Sequence, residues 1–371
     1  MKKLYWIFAL SIILFNACSD DDGGSNIDDT ESYDYATLLA DYVDYTVVPT
    51  YADMKDKSIL LLDATEAFLE SNSQTDINLA CEYWKQTRKP WECSESFLFG
   101  PAASKSLDPL IDSWPLDQNQ LDQVLSSNQT ITADYVRNAL GAVLRGFHTI
   151  EYLLFRDGAP RNAGDVTDRE KEYLVAVTEV LRDDCITLWA SWAGVTEGSV
   201  EAEILTNIEV EIDTPYAEVI KNAGKAGSVY LSQTDAVDEI LLGIIGIADE
   251  VANAKIADPY SSKDVLEVES WFSWNSLTDF QNNIHSIKNS YMGGYDGGTS
   301  KSSVSDIVKA QNATLDTQVK TLINDAITAI ADIPEPFRNN LDNEEKISTA
   351  INAVNAIVDV MEDDVRPLFV D

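Results

Sequence analysis

Apolar residues recur every three to four positions along most of this chain, the spacing of helices that bury one face. Ile59, Leu62, Ala67 and Leu69 fit a helix over about 53–70. Val136, Leu140, Val143, Leu144, Phe147 and Leu154 fit one continuous helix over about 133–155. Tyr173, Val177, Val180, Leu181, Ile186 and Trp189 predict a third. Val237, Ile240, Leu241, Ile244, Ile245 and Ala248 predict a fourth, which should stop before Pro259 because proline breaks a helix interior. The last third adds 304–331 and 344–364. Alternation of period two is scarce, and 208–212 is the best strand candidate. The pattern predicts an all-α fold.

Helices of this length, joined by modest loops, bury their stripes as antiparallel bundles. Periodicity weakens across 194–227, which holds Gly198, Pro215, Gly224 and Gly227. The expectation is two helical-bundle domains packed side by side, 33–227 and 228–371, each large enough for its own core. A second glycine-rich loop, 293–298, should separate two helices of the later domain.

The amino terminus has a different pattern. Lys2 and Lys3 precede an apolar run from Leu4 to Phe15, of signal-peptide length and too short to span a bilayer comfortably. Asn16-Ala17-Cys18 follows, a small residue before a cysteine. Residues 1–17 are therefore expected to be a lipoprotein signal peptide, with Cys18 the lipidated first residue of the mature protein. Residues 18–32, opening Ser19-Asp20-Asp21-Asp22-Gly23-Gly24, read as a flexible acidic tether. The tether resembles the acidic tag of surface-displayed lipoproteins. The expected address is the cell envelope, as an outer-membrane lipoprotein with an outward-facing option.

Charge narrows the partners. The chain has 26 basic and 63 acidic residues. Losing Lys2 and Lys3 with the signal would take the net charge from −37 to −39. A field of that sign repels nucleic acid and anionic membrane surfaces and favours cations. Export permits a disulfide between Cys81 and Cys93, although two separate thiols fit as well, and Cys185 reads as a buried thiol in the third helix. No CxxC occurs, so neither a thiolate zinc site nor a redox motif is indicated.

The chain has two histidines. His148 lies in Gly146-Phe147-His148-Thr149-Ile150-Glu151, and residues three apart on a helix share a face. His148 and Glu151 are thus either two ligands of one cation or a satisfied polar pair. Gly146, and Gly141 before it, cost helix propensity, which implies that something approaches this backbone closely. Zinc peptidase motifs need a second histidine nearby; here Tyr152 follows Glu151, and His285 belongs to the other domain. His285 reads as a helix-surface or packing residue, and no Ser–His–Asp triad can be assembled.

With Gly146-x-His148-x-x-Glu151 in view, the chain resembles the imelysin-like family, also filed as M75 peptidases. Three further blocks carry the resemblance. They are Trp84 to Pro101, including Arg88, Trp91, Glu92 and Glu95; Leu107 to Leu116, including Asp112; and Glu269 to Phe280, including Trp271, Ser273, Asn275, Ser276 and Asp279. The resemblance implies an all-helical envelope protein linked to iron acquisition, with a metal-binding site around the motif.

One imidazole with carboxylates is an oxygen-rich donor set suited to iron, manganese or calcium. His148, Glu151, Glu95 and Asp112 are the expected metal ligands, with Glu92 a further candidate. Arg88 is expected to pair with a site carboxylate or an anionic ligand. Ser273 and Asp279 would line the cleft, although Ser276 and Asp279 also read as a helix N-cap with its first-turn acid. Trp84, Trp91, Trp114, Trp271 and Trp274 read as packing, with stacking on a haem or sugar as the other reading.

The leading expectation is an imelysin-like envelope lipoprotein that binds a metal ion, iron first, or a ferric complex for uptake, with envelope iron-uptake partners. One alternative is a metallopeptidase with Glu151 as general base. The other is a surface adhesin or scaffold in which the His148–Glu151 pair is sealed in a dry interface.

Overall fold

The computed structural model describes residues 33–370. The expected signal peptide, Cys18 and the tether to residue 32 lie outside the described residues. Helices dominate, as the apolar spacing predicts. They are α1 (Val48–Ser71), α2 (Gln74–Glu92), α3 (Gly146–Leu154), α4 (Asp168–Ala193), α5 (Gln233–Glu250), α6 (Ser276–Met292), α7 (Ala313–Ala331) and α8 (Glu344–Val360), with shorter helices between them. Among the described residues, the strands are one short antiparallel pair, Phe155–Arg156 with Ala159–Pro160. No helix among them is long and apolar enough to cross a membrane.

Side-chain caps fix where several helices begin. Ser73 accepts from the Asp76 N–H at the start of α2, and Thr167 with Glu170 forms a capping box at α4. Helix α1 packs on α2 and α4, and α3 packs on α2 and α4. Helix α6 packs on α5 and α7, and α8 packs on α5 and α7. The boundary expected near Gly227 falls between the short helix Tyr216–Lys221 and α5. Helices α2 and α6, one from each side of that point, touch directly, and Asp34–Asp371 forms one compact unit.

Several local expectations are corrected. The helix expected over 133–155 is broken: Ala133–Ala139 ends at extended Leu140, a 3-10 turn covers Ala142–Leu144, and α3 starts afresh at Gly146. The core face of α1 is Tyr51, Met54, Ser58, Leu61, Thr65 and Phe68, while Ile59, Ala67 and Leu69 are only partly buried. Helix α5 does not stop short of Pro259. The helical path continues through a π-helical stretch, Val251–Ile256, directly into Ala257–Ser262, which contains Pro259. Asn312 divides the expected 304–331 helix in two. Residues 208–212 are not a strand; Ile208, Val210 and Ile212 pack on the cluster of Ile186, Ala190 and Leu205.

Cys81 and Cys93 are both buried free thiols. Both belong to α2 and its C-cap, and twelve residues of helix separate them by about 18 Å, far beyond disulfide reach. Cys185 is a buried thiol in α4, as expected.

Candidate metal centre

Helix α2 turns a core stripe inward: Ile77, Cys81, Trp84, Arg88 and Trp91 recur at helical spacing. Arg88 therefore projects a fully buried guanidinium where a core hydrophobe would otherwise sit. Four carboxylates surround it. Nη2 lies 2.6 Å from Glu92 Oε1 and 2.7 Å from Glu269 Oε1, Nε lies 3.3 Å from Asp279 Oδ2, and Nη1 pairs with Asp112 Oδ1. A charge stripped of water this completely is tolerated only when paired, and arginine's planar fork can serve several acids at once.

His148 stands in the first turn of α3, and both ring nitrogens face carboxylates. Nδ1 is 3.1 Å from Glu151 Oε2. The other Glu151 oxygen, Oε1, accepts from the Ser273 N–H at 2.8 Å and the Ser273 hydroxyl at 2.7 Å. Nε2 lies 3.1 Å from Asp112 Oδ1, out of line for a hydrogen bond, and 3.7 Å from Glu269 Oε1, too far for one. Burial and the Arg88 charge push the imidazole's pKa down, but Asp112 and Glu151 outweigh them and hold it well above the usual value. For Asp112, burial favours the neutral acid; Arg88 and His148 overcome it and keep the carboxyl well below the ordinary range.

The backbone explains how these groups meet. Gly146 has φ +76°, and a Cβ there would run into the Ile111 carbonyl, one residue before Asp112. Its missing side chain lets the start of α3 abut the loop that carries Asp112. Trp91 Nε1 donates to Asp112 Oδ2 at 2.6 Å, and the Trp114 ring lies 4.6 Å from that of His148. Glu269 and Ser273 come from a tight loop in which Ser270 and Trp274 both take positive φ, +52° and +59°, strain of the kind that gathers at functional sites.

Asp112 and Glu269 open onto a cavity of about 580 Å³, whose wall also includes Glu95, Asp108, Glu250 and Lys255. Lys255, from the π-helical stretch, places Nζ 3.0 Å from Glu269 Oε2 and 3.9 Å from Glu95 Oε1. Two sets of ligand-type atoms converge here, Asp112–His148–Glu269 and Glu92–Glu95–Asp112. The Imelysin family profile matches residues 47–362. The chain belongs to the imelysin family.

This imelysin is 27% identical over 358 residues to iron-regulated protein A of Synechococcus elongatus, covering 96% of this chain and 90% of that one. A crystal structure from Parabacteroides distasonis, described as an iron-regulated protein A precursor, superposes with a TM-score of 0.80 at 36% identity, over 90% of this chain and 95% of that one. An imelysin-like protein from Psychrobacter arcticum shares the fold at 14% identity, with a TM-score of 0.68 over the same shares of the two chains.

The structure sorts the expected site residues of this imelysin by position. His148 and Asp112 converge. Glu95 converges with Asp112 and Glu92, their ligand atoms within 4.8 Å of one another, and lies 3.9 Å from Lys255, while Glu151 faces the far side of the imidazole. Arg88 pairs with four site acids, one of them Asp279. Ser273 holds Glu151. Half of the N-cap reading is corrected: Asn275 is the cap of α6 and Ser276 Oγ donates to the Glu269 carbonyl at 2.6 Å, while Asp279 is the first-turn acid as expected and accepts from Arg88 and Asn275. Gly141 has open space around it and accommodates nothing. Trp84 donates to the Phe147 carbonyl and Trp91 to Asp112, so these rings pack and position. His285 is half-buried on α6, remote from the motif in packing. Sequence reasoning missed Glu269 and Lys255. Glu269 opens a quoted family block, and Lys255 stands among Ala254 and Ile256 where an apolar residue would be ordinary.

Proposed function

We propose that this imelysin binds a metal ion, with iron the first candidate, through His148 Nε2, Asp112 and Glu269, and serves iron uptake at the cell envelope. One observation carries the reading: a fully buried imidazole nitrogen without a hydrogen-bond partner, aimed at two carboxylates that line a cavity. Its separations of 3.1 and 3.7 Å from Asp112 and Glu269 suit neighbouring ligands of one cation, for which bonds of about 2.1 Å imply spacings near 3.0–3.5 Å. One nitrogen and several carboxylate oxygens suit iron or manganese better than thiophilic metals. Glu151 then acts from behind, fixing the Nδ1 tautomer as carboxylates do behind metal-bound histidines. The names of the relatives support iron. Lys2 to Cys18 supports a lipid anchor in the envelope, and loss of membrane association in Cys18→Ala would check it.

The peptidase reading finds no support in this arrangement. A general base must reach the metal-bound water, yet both Glu151 oxygens are committed to His148 Nδ1 and Ser273 on the opposite side. The scaffold reading needs a dry seal, whereas Asp112 and Glu269 border an open cavity.

The test is metal titration of the chelator-treated protein with ferrous and manganous ions. Wild type should bind with defined stoichiometry, and His148→Ala should lose that binding. Glu151→Gln should keep the stoichiometry and weaken affinity by about 10–100-fold. Equal stoichiometry and affinity in wild type and His148→Ala would remove the proposal.

A further inference from the structure

Lys255 has no part in the ligand set, yet its ammonium stands on Glu269 from the cavity side, opposite the fully buried Arg88 guanidinium. The side chain is 10% exposed, and Nζ contacts both Glu269 oxygens, at 3.0 and 3.3 Å. Glu95 lies 3.9 Å away and Glu250 4.0 Å. Glu269 Oε1, one of the two oxygens it holds, also faces His148 Nε2. Burial opposes the charge on Lys255, but Glu269, Glu95 and Glu92 outweigh it and keep the group an ammonium.

Resting on the metal-binding reading, we propose that the cavity exchanges the Lys255 ammonium for a free divalent cation. In the metal-free protein, Lys255 acts as a tethered substitute cation that balances the buried Glu269 carboxylate. Glu269 already carries the Arg88 guanidinium at 2.7 Å as well as Lys255, so an arriving ion adds a third positive centre to one carboxylate, and the resulting repulsion falls on the cation that can move. The ammonium has somewhere to go. Its stem is long and flexible, and Glu250, Asp258 and Glu267 line the same cavity with exposed carboxyl groups. The lining also sets the ligand class. Among the described residues, every charged group lining the cavity except Lys255 is a carboxylate, so an ion still wrapped in an anionic chelator is repelled and a hydrated cation is admitted.

Manganous ion, added alone, is the probe, and calorimetric titration reads affinity and stoichiometry in wild type, Lys255→Met, Lys255→Arg and His148→Ala. Lys255→Met should bind about tenfold tighter or more, because the competing charge is gone. Lys255→Arg should bind no tighter than wild type. A merely structural lysine would give the opposite result, since its loss would splay the carboxylates and weaken binding. Equal or weaker binding by folded Lys255→Met overturns the exchange while leaving the metal site standing. Failure of wild type to bind through His148 overturns both. Should Lys255→Met not fold, acetylation of Lys255 in wild type, followed by mass spectrometry, decides. Manganese should speed the labelling, and an equal or slower rate overturns the proposal.

Discussion

Single positions carry much of this site, and the most informative is one without a side chain. Gly146 combines φ +76° with a neighbouring carbonyl that a Cβ would strike, so Gly146→Ala meets both backbone strain and a collision with the loop ahead of Asp112. A cost of about 2–4 kcal/mol is expected, read by denaturant unfolding, together with weakened metal binding because Asp112 is displaced. Gly246 supplies the contrast. It lies inside α5 with nothing near its absent Cβ, so Gly246→Ala should stabilise the fold by about 0.5–1 kcal/mol through helix propensity. If both substitutions cost the same, the close-approach account of Gly146 fails. Arg88 shows the converse economy of position: one guanidinium answers Glu92, Asp112, Glu269 and Asp279, which come from three separate parts of the chain.

At the scale of elements, the sequence told most where a single face of a long helix decides the packing. The stripe Val237–Ile240–Leu241–Ile244–Ala248 is buried as its spacing requires, and Tyr173 to Ile186 likewise along α4. It told least where register changes within a continuous apolar pattern. Val136, Leu144, Phe147 and Leu154 keep helical spacing across 133–155, yet Gly141 and Gly146 let the backbone extend and restart, and periodicity carries no signal of that break. The continuation past Pro259 was equally hidden, since a π-helical stretch changes the hydrogen-bond register without changing composition. The same limit applies to the site. His148, Asp112 and Arg88 stood out because an isolated polar residue in a motif or family block is conspicuous. Glu269 and Lys255 join them only through a strained loop and a π turn, whose directions sequence spacing does not encode. Glu151 shows the same limit: sharing a helix face with His148 places it beside the ring but does not say which nitrogen it meets, and the structure puts it at Nδ1.

Across the whole molecule, buried charge makes stability depend on pH, and the direction follows from the individual groups. Burial raises Glu92 to about 8 against the pull of Arg88, Asp108 to about 6, and Asp279 to about 6, again against Arg88. Asp184, away from the site and paired with Arg145 at 2.6 Å, is also raised by burial to about 6. A carboxyl raised in the folded state contributes stability that is complete below its unfolded pKa, near 4, and fades as pH rises through the folded value. Glu269 has the opposite sign. Burial works against its ionisation, but Lys255, His148 and Arg88 take it to about 2, so its contribution is present above the unfolded value and lost only in acid. The metal-free protein should therefore be most stable near pH 5 and lose stability progressively toward pH 8, read by denaturant unfolding in chelator. Added ferrous or manganous ion should stabilise the protein more at pH 8 than at pH 5, because Asp112 and Glu269 are ionised at both while binding at Nε2 must displace the proton of His148. Asp184→Asn separates the two contributions, because it removes one raised group without touching the cavity: the pH slope should shrink while the metal-dependent stabilisation at pH 8 persists. A metal-free stability that instead climbs steadily from pH 5 to pH 8 would mean that the buried acids stay ionised, with Arg88 and Lys255 compensating them fully.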